Sequence, residues 1–299
     1  MSIKTDDKCL LKMRFPKAYI NNNTLMFNSD EDYKTALEEG VFFVKIPETM
    51  DVKPGIMFSQ NFYKDKNNSS DDPYRGFNTL SYDDSILGYS DRHDQVEQVQ
   101  LELSRWDKYF PSELDTLLKN MNKLGLLVVE NIFRKLGIAD KYWDVITGGA
   151  AKDTALQYCI FNHYRSKIQN IGITKHKDSG FITVLYSPEP GLEAFTQNQW
   201  VPIDPEPGYF TINLGHAFEV LTSKLPLRVQ AVDHHVKQIV KNTNEPDRYS
   251  FGTYIGPRFD MNLYQYENNN LLFYQTFLEF QQLKAKQMGY EFHPKVKVT

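Results

Sequence analysis

From Ser112 to Gly137 the apolar residues Leu114, Leu117, Leu118, Met121, Leu124, Val128 and Ile132 recur at steps of three and four. That spacing gathers them on one face of a helix. Ser112 is the expected N-cap, with Asp115 three residues on, and Gly137 marks the end. The pattern predicts a long amphipathic helix packed on an apolar surface. Upstream, Asp32 to Gly40 reads as a short helix stopped by glycine, and Val41 to Ile46 (VFFVKI) as a β-branched and aromatic strand. Lys64 to Tyr74 (KDKNNSSDDPY) is polar and rich in turn formers, which predicts a surface loop.

Beyond Ala155 the period changes. Leu156 to Phe161, Phe181 to Tyr186, Tyr209 to Asn213, Leu227 to Val236 and Tyr249 to Ile255 are short strand-like runs separated by Pro, Gly and Asn. Short strands at regular spacing predict a sandwich, jelly roll or barrel. The tail, Leu271 to Met288, regains helical spacing and stops at Gly289. The expected fold class is mainly β with flanking α-helices. A single domain over 1–299 is the economical organisation: a helical and strand support region (1–150), a β core (151–257) and a C-terminal helical segment (258–299).

Composition narrows the function classes. A chain of 299 residues with 41% hydrophobic and 24% charged residues is that of an ordinary globular protein. Its formal net charge of −4, with the basic residues scattered, argues against nucleic acid as a partner. No apolar run approaches the ~20 residues of a membrane span, and Met1 to Lys12 lacks the apolar region of a secretory signal. Cys9 and Cys159 are too few for a disulfide framework or a thiolate metal site. A cytoplasmic protein acting on a small molecule, as a monomer or weak homo-oligomer, is the expectation.

The candidate chemistry lies in the β region. His176 and Asp178 are two apart, and in an extended backbone such residues share a face. His234 follows 56 residues after Asp178 in another strand-like run. Two imidazoles and a carboxylate on one face leave the opposite coordination positions open, which suits a non-haem Fe(II) oxygenase. A His-x-Asp tripeptide is common by itself, so its companions decide. Arg248 and Ser250 repeat the i, i+2 spacing and present a guanidinium fork beside a hydroxyl, a pair suited to a carboxylate. Asn162 and Tyr164 share a face of an earlier strand and are placed to bond the other end of a small dicarboxylate.

The ordered set from Asn162 to Ser250 resembles the core of the isopenicillin N synthase-like Fe(II)/2-oxoglutarate oxygenases. It comprises Asn162-His163-Tyr164, His176-Lys177-Asp178, Trp200 to Ile203 (WVPI), Pro207 to Gly215 (PGYFTINLG), Asp233 to Val236 (DHHV) and Arg248-Tyr249-Ser250. Glu39 to Val44 and Tyr74 to Phe77 extend the likeness weakly to the front, where deacetoxycephalosporin C synthase-like members are closest in local motifs. The resemblance implies a double-stranded β-helix, or jelly roll, with iron at one mouth. His176, Asp178 and His234 match its metal positions, Arg248 and Ser250 the grip on 2-oxoglutarate, and Asn162 and Tyr164 supporting contacts. His234 is preferred to His235 because Val236 then matches the family's His-x-Val step and alternation turns His235 away. His216 is read as packed near the mouth.

The implied cofactors are Fe(II), 2-oxoglutarate and O₂, with succinate and CO₂ as co-products. The implied reaction is hydroxylation, desaturation or oxidative cyclisation of an amino-acid-derived metabolite. Asp178 argues against halogenation, since related halogenases carry Gly or Ala there. Arg75, Arg165 and Lys177, with Lys175, are the basic candidates around the mouth for an anionic substrate. The rivals are an oxidase of the same fold that uses no 2-oxoglutarate, a non-catalytic jelly-roll protein, and a zinc hydrolase.

Overall fold

Pairs of strands joined by two-residue turns account for three corners of this molecule. Asn22-Asn23, Gln197-Asn198 and Asn268-Asn269 all have positive φ, between 46° and 61°, the geometry of hairpin turns whose twist matches that of the strands. The computed structural model describes residues 14–66, 72–80, 88–242 and 244–288. Its strands are β1 (Lys17–Asn21), β2 (Thr24–Phe27), β3 (Val41–Lys45), β4 (Gly88–Asp91), β5 (Val96–Glu102), β6 (Leu156–Tyr164), β7 (Ile173–His176) and β8 (Ile182–Tyr186). They continue with β9 (Leu192–Thr196), β10 (Gln199–Pro202), β11 (Tyr209–Leu214), β12 (Asp233–Val236), β13 (Arg248–Gly256), β14 (Asn262–Glu267) and β15 (Asn270–Thr276). The helices are α1 (Asp30–Glu39), α2 (Lys53–Ser59), α3 (Trp106–Tyr109), α4 (Ser112–Lys135), α5 (Trp143–Thr147), α6 (His216–Thr222) and α7 (Phe277–Met288).

Among the described residues, nine strands form one sheet in the order β2-β1-β3-β11-β8-β13-β6-β5-β4, and four form a second, β10-β9-β12-β7. The N-terminal strands therefore extend the same large sheet that carries β6, β8, β11 and β13. Two apolar clusters follow from the layering. One joins Leu192, Ala194, Val201 and Val236 of the small sheet to Phe43, Val96 and Tyr164 of the large one. The other lies between the large sheet and the helices, where Leu117, Met121, Leu124, Val128 and Ile132 of α4 meet Ile182, Val184 and Ile255. The chain is a double-stranded β-helix with helices backing its larger sheet.

Glycine is required where α1 turns into β3. Gly40 has φ +68°, caps α1 through its N–H to Ala36 O, and lies so close to the chain that a Cβ there would sit 2.2 Å from Gln230 O. No described helix is long and apolar enough to cross a membrane.

Three expectations need correction. Ser112 is the first residue of α4 rather than its cap, and its hydroxyl bonds the neighbouring Glu113 carboxylate at 3.2 Å. The Leu227 to Val236 run is a strand only from Asp233, because Gln230 N–H is drawn out to Leu37 O at the end of α1. Asn270 to Thr276 is a strand paired with β14, with α7 starting only at Phe277. The Asn268-Asn269 turn folds this segment back, and cross-strand pairing overrides its helical spacing. Residues 67–71 of the polar loop, Met1 to Lys12, Gly289 and His293 lie outside the described residues.

Candidate metal centre and co-substrate pocket

His176 ends β7 and His234 lies in β12, and the two are directly paired across that antiparallel ladder. Such partners project to the same face about 5 Å apart, and here the imidazole centroids are 4.4 Å apart. Asp178 lies two residues past His176, in the loop crossing from the small sheet to the large. Backbone bonds hold that loop: His216 N–H to Asp178 O at 2.8 Å, Ala217 N–H to Gly180 O at 3.0 Å and Phe181 N–H to Ile255 O at 2.8 Å. Asp178 Oδ1 is 3.8 Å from Nε2 of both histidines, and the three ligand atoms lie within 4.8 Å of one another.

The surrounding bonds aim these groups. His176 Nδ1 donates to Thr174 O at 2.9 Å and His234 Nδ1 to Val232 O at 3.1 Å. A carbonyl only accepts, so each Nδ1 carries the proton and each Nε2 presents a lone pair to the centre. Burial and the neighbouring His234 push His176 down to about 3, leaving it an uncharged ligand at neutral pH. Burial works against an ionised Asp178, but His234, His176 and the Thr183 hydroxyl, 2.7 Å away, together hold it below the usual carboxylate range. Two neutral nitrogens and one carboxylate on one face make the donor set of a facial triad, which fits Fe(II) with positions left open.

The same cavity runs along β6 and β13, whose ladder pairs Arg248 with Tyr164, Ser250 with Asn162 and Tyr254 with Tyr158. At one end Arg248 is 1% exposed. Its Nε donates to Pro190 O at 3.0 Å and Nη2 to Ser187 Oγ at 2.7 Å, and its guanidinium lies 4.4 Å over the Tyr164 ring. Nη1 is buried without a partner, as are Asn162 Oδ1 and Asn213 Oδ1. Unmet buried donors and acceptors are costly, and a bound carboxylate supplies what Nη1 lacks. Asn162 Nδ2 donates to Ser250 Oγ at 3.2 Å, and the Tyr164 hydroxyl is 3.4 Å from the same oxygen. Asn162 and Tyr164 thus sit at the Arg248 end, not at the far end of a dicarboxylate.

About 20 Å along the strand from Arg248, Tyr254 stacks on Tyr158 with centroids 4.4 Å apart. Its hydroxyl lies 3.0 Å from Ser179 Oγ, beside the metal loop. Gly180 leaves the space for that ring, since a Cβ there would come within 2.5 Å of Tyr254 Cζ.

The comparisons with known proteins agree with this geometry. The model of the 2OG-Fe(II) oxygenase superfamily matches residues 155–257, the stretch that carries the triad, Arg248 and Ser250. The match covers 103 of the chain's 299 residues, and over this β core the chain is similar to the 2OG-Fe(II) oxygenase superfamily. The 2-oxoglutarate-dependent dioxygenase 21 of Oryza sativa is 27% identical over 135 residues, covering 40% of this chain and 39% of the relative. The 2-oxoglutarate-dependent dioxygenase iboH of Amanita muscaria is 32% identical over 101 residues, covering 32% and 48%. The chain's matched stretch thus spans less than half the length of either relative. A full-length Neurospora crassa protein, crystallised in complex with alpha-KG and thymine, superposes with a TM-score of 0.65 over 86% of this chain and 91% of that one, at 15% identity. The rice dioxygenase for auxin oxidation gives 0.62 over 87% and 91%, at 19% identity. These two structures share the fold.

The basic residues expected at the mouth of this cavity are engaged elsewhere. Arg75 pairs with Asp72 at 3.2 Å. Arg165 binds Asp91 and the carbonyls of Arg92, Asp94, Gln95 and Val96, clamping the turn before β5. Lys177 pairs with Glu219 at 3.0 Å and faces an outer depression bordered by Glu38, Glu39 and Asp233. None of the three lines the metal pocket. His235 turns outward to Glu193 and Trp200, and His216 packs on Phe280.

The sequence reading missed Thr183, Asn213, Tyr158, Tyr254 and Ser187. Tyr158 and Tyr254 are reached by extending the i, i+2 step along β6 and β13, a signal present in the chain. Thr183, Asn213 and Ser187 carry no local signal.

Proposed function

We propose that this protein is an Fe(II)- and 2-oxoglutarate-dependent dioxygenase that oxidises an unactivated C–H bond of a small organic acid. The observation that carries this reading is one cavity holding both the His176-Asp178-His234 face and the buried, unpartnered Nη1 of Arg248. Iron and 2-oxoglutarate, when bound with O₂, supply the oxidising power, the co-substrate leaving as succinate and CO₂.

The chain's own groups place and protect that chemistry. His176 and His234 offer fixed Nε2 lone pairs, and Asp178, oriented by Thr183, brings the negative charge. Arg248 holds the distal carboxylate of 2-oxoglutarate, with the Ser250 hydroxyl beside it and Tyr164 packed under the guanidinium. Ile173, Leu185, Leu192 and Val236 wall the channel between the two ends and keep water from the co-substrate. Tyr158 and Tyr254 form the wall nearest Asp178, where the substrate's reacting carbon is presented.

The unmet Arg248 donor favours this reading over an oxidase that uses no 2-oxoglutarate. The relatives' names, which include a deacetoxyvindoline 4-hydroxylase of Catharanthus roseus, support hydroxylation of a specialised metabolite as the outcome. The buried free thiol of Cys159 fits a reducing cytoplasm. The test is succinate formation from 2-oxoglutarate by the Fe(II)-loaded protein under O₂. Turnover that needs both Fe(II) and O₂ is expected, and its absence with intact metal binding sinks the proposal.

A further inference from the structure

Asn213 stands at the metal end of the cavity with its side-chain amide uncommitted. On the large sheet Asn213 of β11 pairs with Thr183 of β8, Thr183 with Tyr254 of β13, and Tyr254 with Tyr158 of β6. These four residues form one row across the sheet, and all of them line the cavity. Directly paired strand residues project to the same face about 5 Å apart, so Asn213 sits beside the threonine whose hydroxyl holds Asp178. Asn213 is 2% exposed, and its Oδ1 is buried without a partner. Nδ2 is then the polar atom left to serve the cavity, and among the described residues it donates to no acceptor.

The donors around it are spent. Thr183 gives its hydrogen to Asp178 Oδ2, and His176 and His234 give theirs to the carbonyls of Thr174 and Val232. The Tyr254 hydroxyl shares a bond with Ser179 Oγ. Asn213 keeps two N–H groups to give. 2-Oxoglutarate carries acceptors only, and the buried Nη1 of Arg248 meets its distal carboxylate at the opposite end. Its other end, a carboxylate beside a ketone, then falls among His176, Asp178, His234 and Asn213. The triad offers that end nitrogen lone pairs and a negative charge, and no hydrogen-bond donor. An uncharged amide supplies the donor without changing the charge of the triad. A polar side chain with an unpaired atom in a buried wall is costly, and an acceptor carried by the ligand accounts for its retention.

We propose that Asn213 is a co-substrate-binding residue whose Nδ2 donates to the metal-end carboxylate of 2-oxoglutarate, opposite the grip of Arg248 on the distal one. This rests on the oxygenase reading above and deepens it. The cavity becomes a two-ended clamp, in which Arg248 selects a dicarboxylate and Asn213, together with the metal, selects the 2-oxo acid group.

The test is anaerobic titration of the Fe(II) protein with 2-oxoglutarate and with 2-oxobutyrate, which keeps the 2-oxo acid and lacks the distal carboxylate. Wild type, Asn213→Leu, Asn213→Ala and Arg248→Met are compared. The visible metal-to-ligand charge-transfer band reports both ligands, and chelator competition reports Fe(II) affinity separately. Each Asn213 variant is expected to lose about tenfold in affinity for either ligand, with Fe(II) affinity within about twofold of wild type. Arg248→Met should weaken 2-oxoglutarate and spare 2-oxobutyrate. Asn213→Ala carries the test if Asn213→Leu does not fold. Unchanged 2-oxoglutarate affinity in a folded Asn213 variant, or weakening confined to 2-oxoglutarate, overturns the proposal. Parallel loss of Fe(II) affinity also overturns it, by making Asn213 a support of the metal loop. A wild type that takes up 2-oxoglutarate but no 2-oxobutyrate overturns it as well, since the metal end would then have no grip of its own. Failure of the band with 2-oxoglutarate in wild type would instead count against the oxygenase reading.

Discussion

Thr183 donates its hydroxyl to Asp178 Oδ2 across 2.7 Å, from the second residue of β8 back to the loop that precedes it. The bond turns Oδ1 toward the two imidazoles, each 3.8 Å away. Outer partners of this kind orient ligands and commonly account for 10- to 100-fold in metal affinity. Thr183→Val, which keeps the shape and removes the hydroxyl, is expected to weaken Fe(II) binding by about that factor with little change in melting temperature. Competition with a calibrated chelator measures it, and unchanged affinity would remove Thr183 from the account.

Arg248 is held by Pro190 O and Ser187 Oγ with Nη1 left over. Removing one member of a buried charge pair costs about 2–5 kcal/mol, so Arg248→Met should weaken 2-oxoglutarate by roughly 30-fold or more. Arg248→Lys should recover only part, because an ammonium lacks the planar fork. Titration of the co-substrate into the Fe(II) protein separates the three, and equal affinity in all of them would contradict the assignment.

The legible part of this protein was the part set by short-range geometry. His176 with Asp178 and Arg248 with Ser250 are i, i+2 pairs, and strand alternation alone predicts that each pair shares a face. His234 became interpretable through its ordered companions, and the β12–β7 ladder then puts it opposite His176. Arg75, Arg165 and Lys177 failed as mouth residues because a basic side chain's direction depends on which acid or carbonyl it finds, and Asp72, Asp91 and Glu219 are chosen by the tertiary fold. Asn213 stayed invisible because only the β11–β8 pairing sets it beside Thr183 and the cavity. The β14–β15 hairpin was hidden because Leu271 to Tyr274 carry apolar residues at a spacing a helix also permits.

Gly40 links α1 to β3 at φ +68°, with Gln230 O where a Cβ would go. Gly40→Ala combines a left-handed backbone penalty of about 1–2 kcal/mol with that collision. The expected loss is about 2–4 kcal/mol, read from the urea midpoint with the m-value unchanged. A loss under about 1 kcal/mol would mean that the turn relaxes freely.

Cys159 is fully buried on β6, and burial pushes its thiol above the usual range. Alkylation needs the thiolate, so raising the pH to about 8 leaves this thiol protonated and shielded. Iodoacetamide treatment of the native protein followed by peptide mass analysis should find Cys159 unmodified, and modified only after unfolding. Rapid native labelling would contradict the packing of β6 against β5 and α3.

The claim on which the rest depends is that His176, Asp178 and His234 hold Fe(II) in the same cavity where Arg248 holds 2-oxoglutarate. Anaerobic addition of 2-oxoglutarate to the Fe(II) protein tests it most directly. The account predicts a visible metal-to-ligand charge-transfer band that saturates at one equivalent and is lost in His234→Ala. A stably folded, Fe(II)-binding wild-type protein that shows no such band, or a band that survives in His234→Ala, would contradict it.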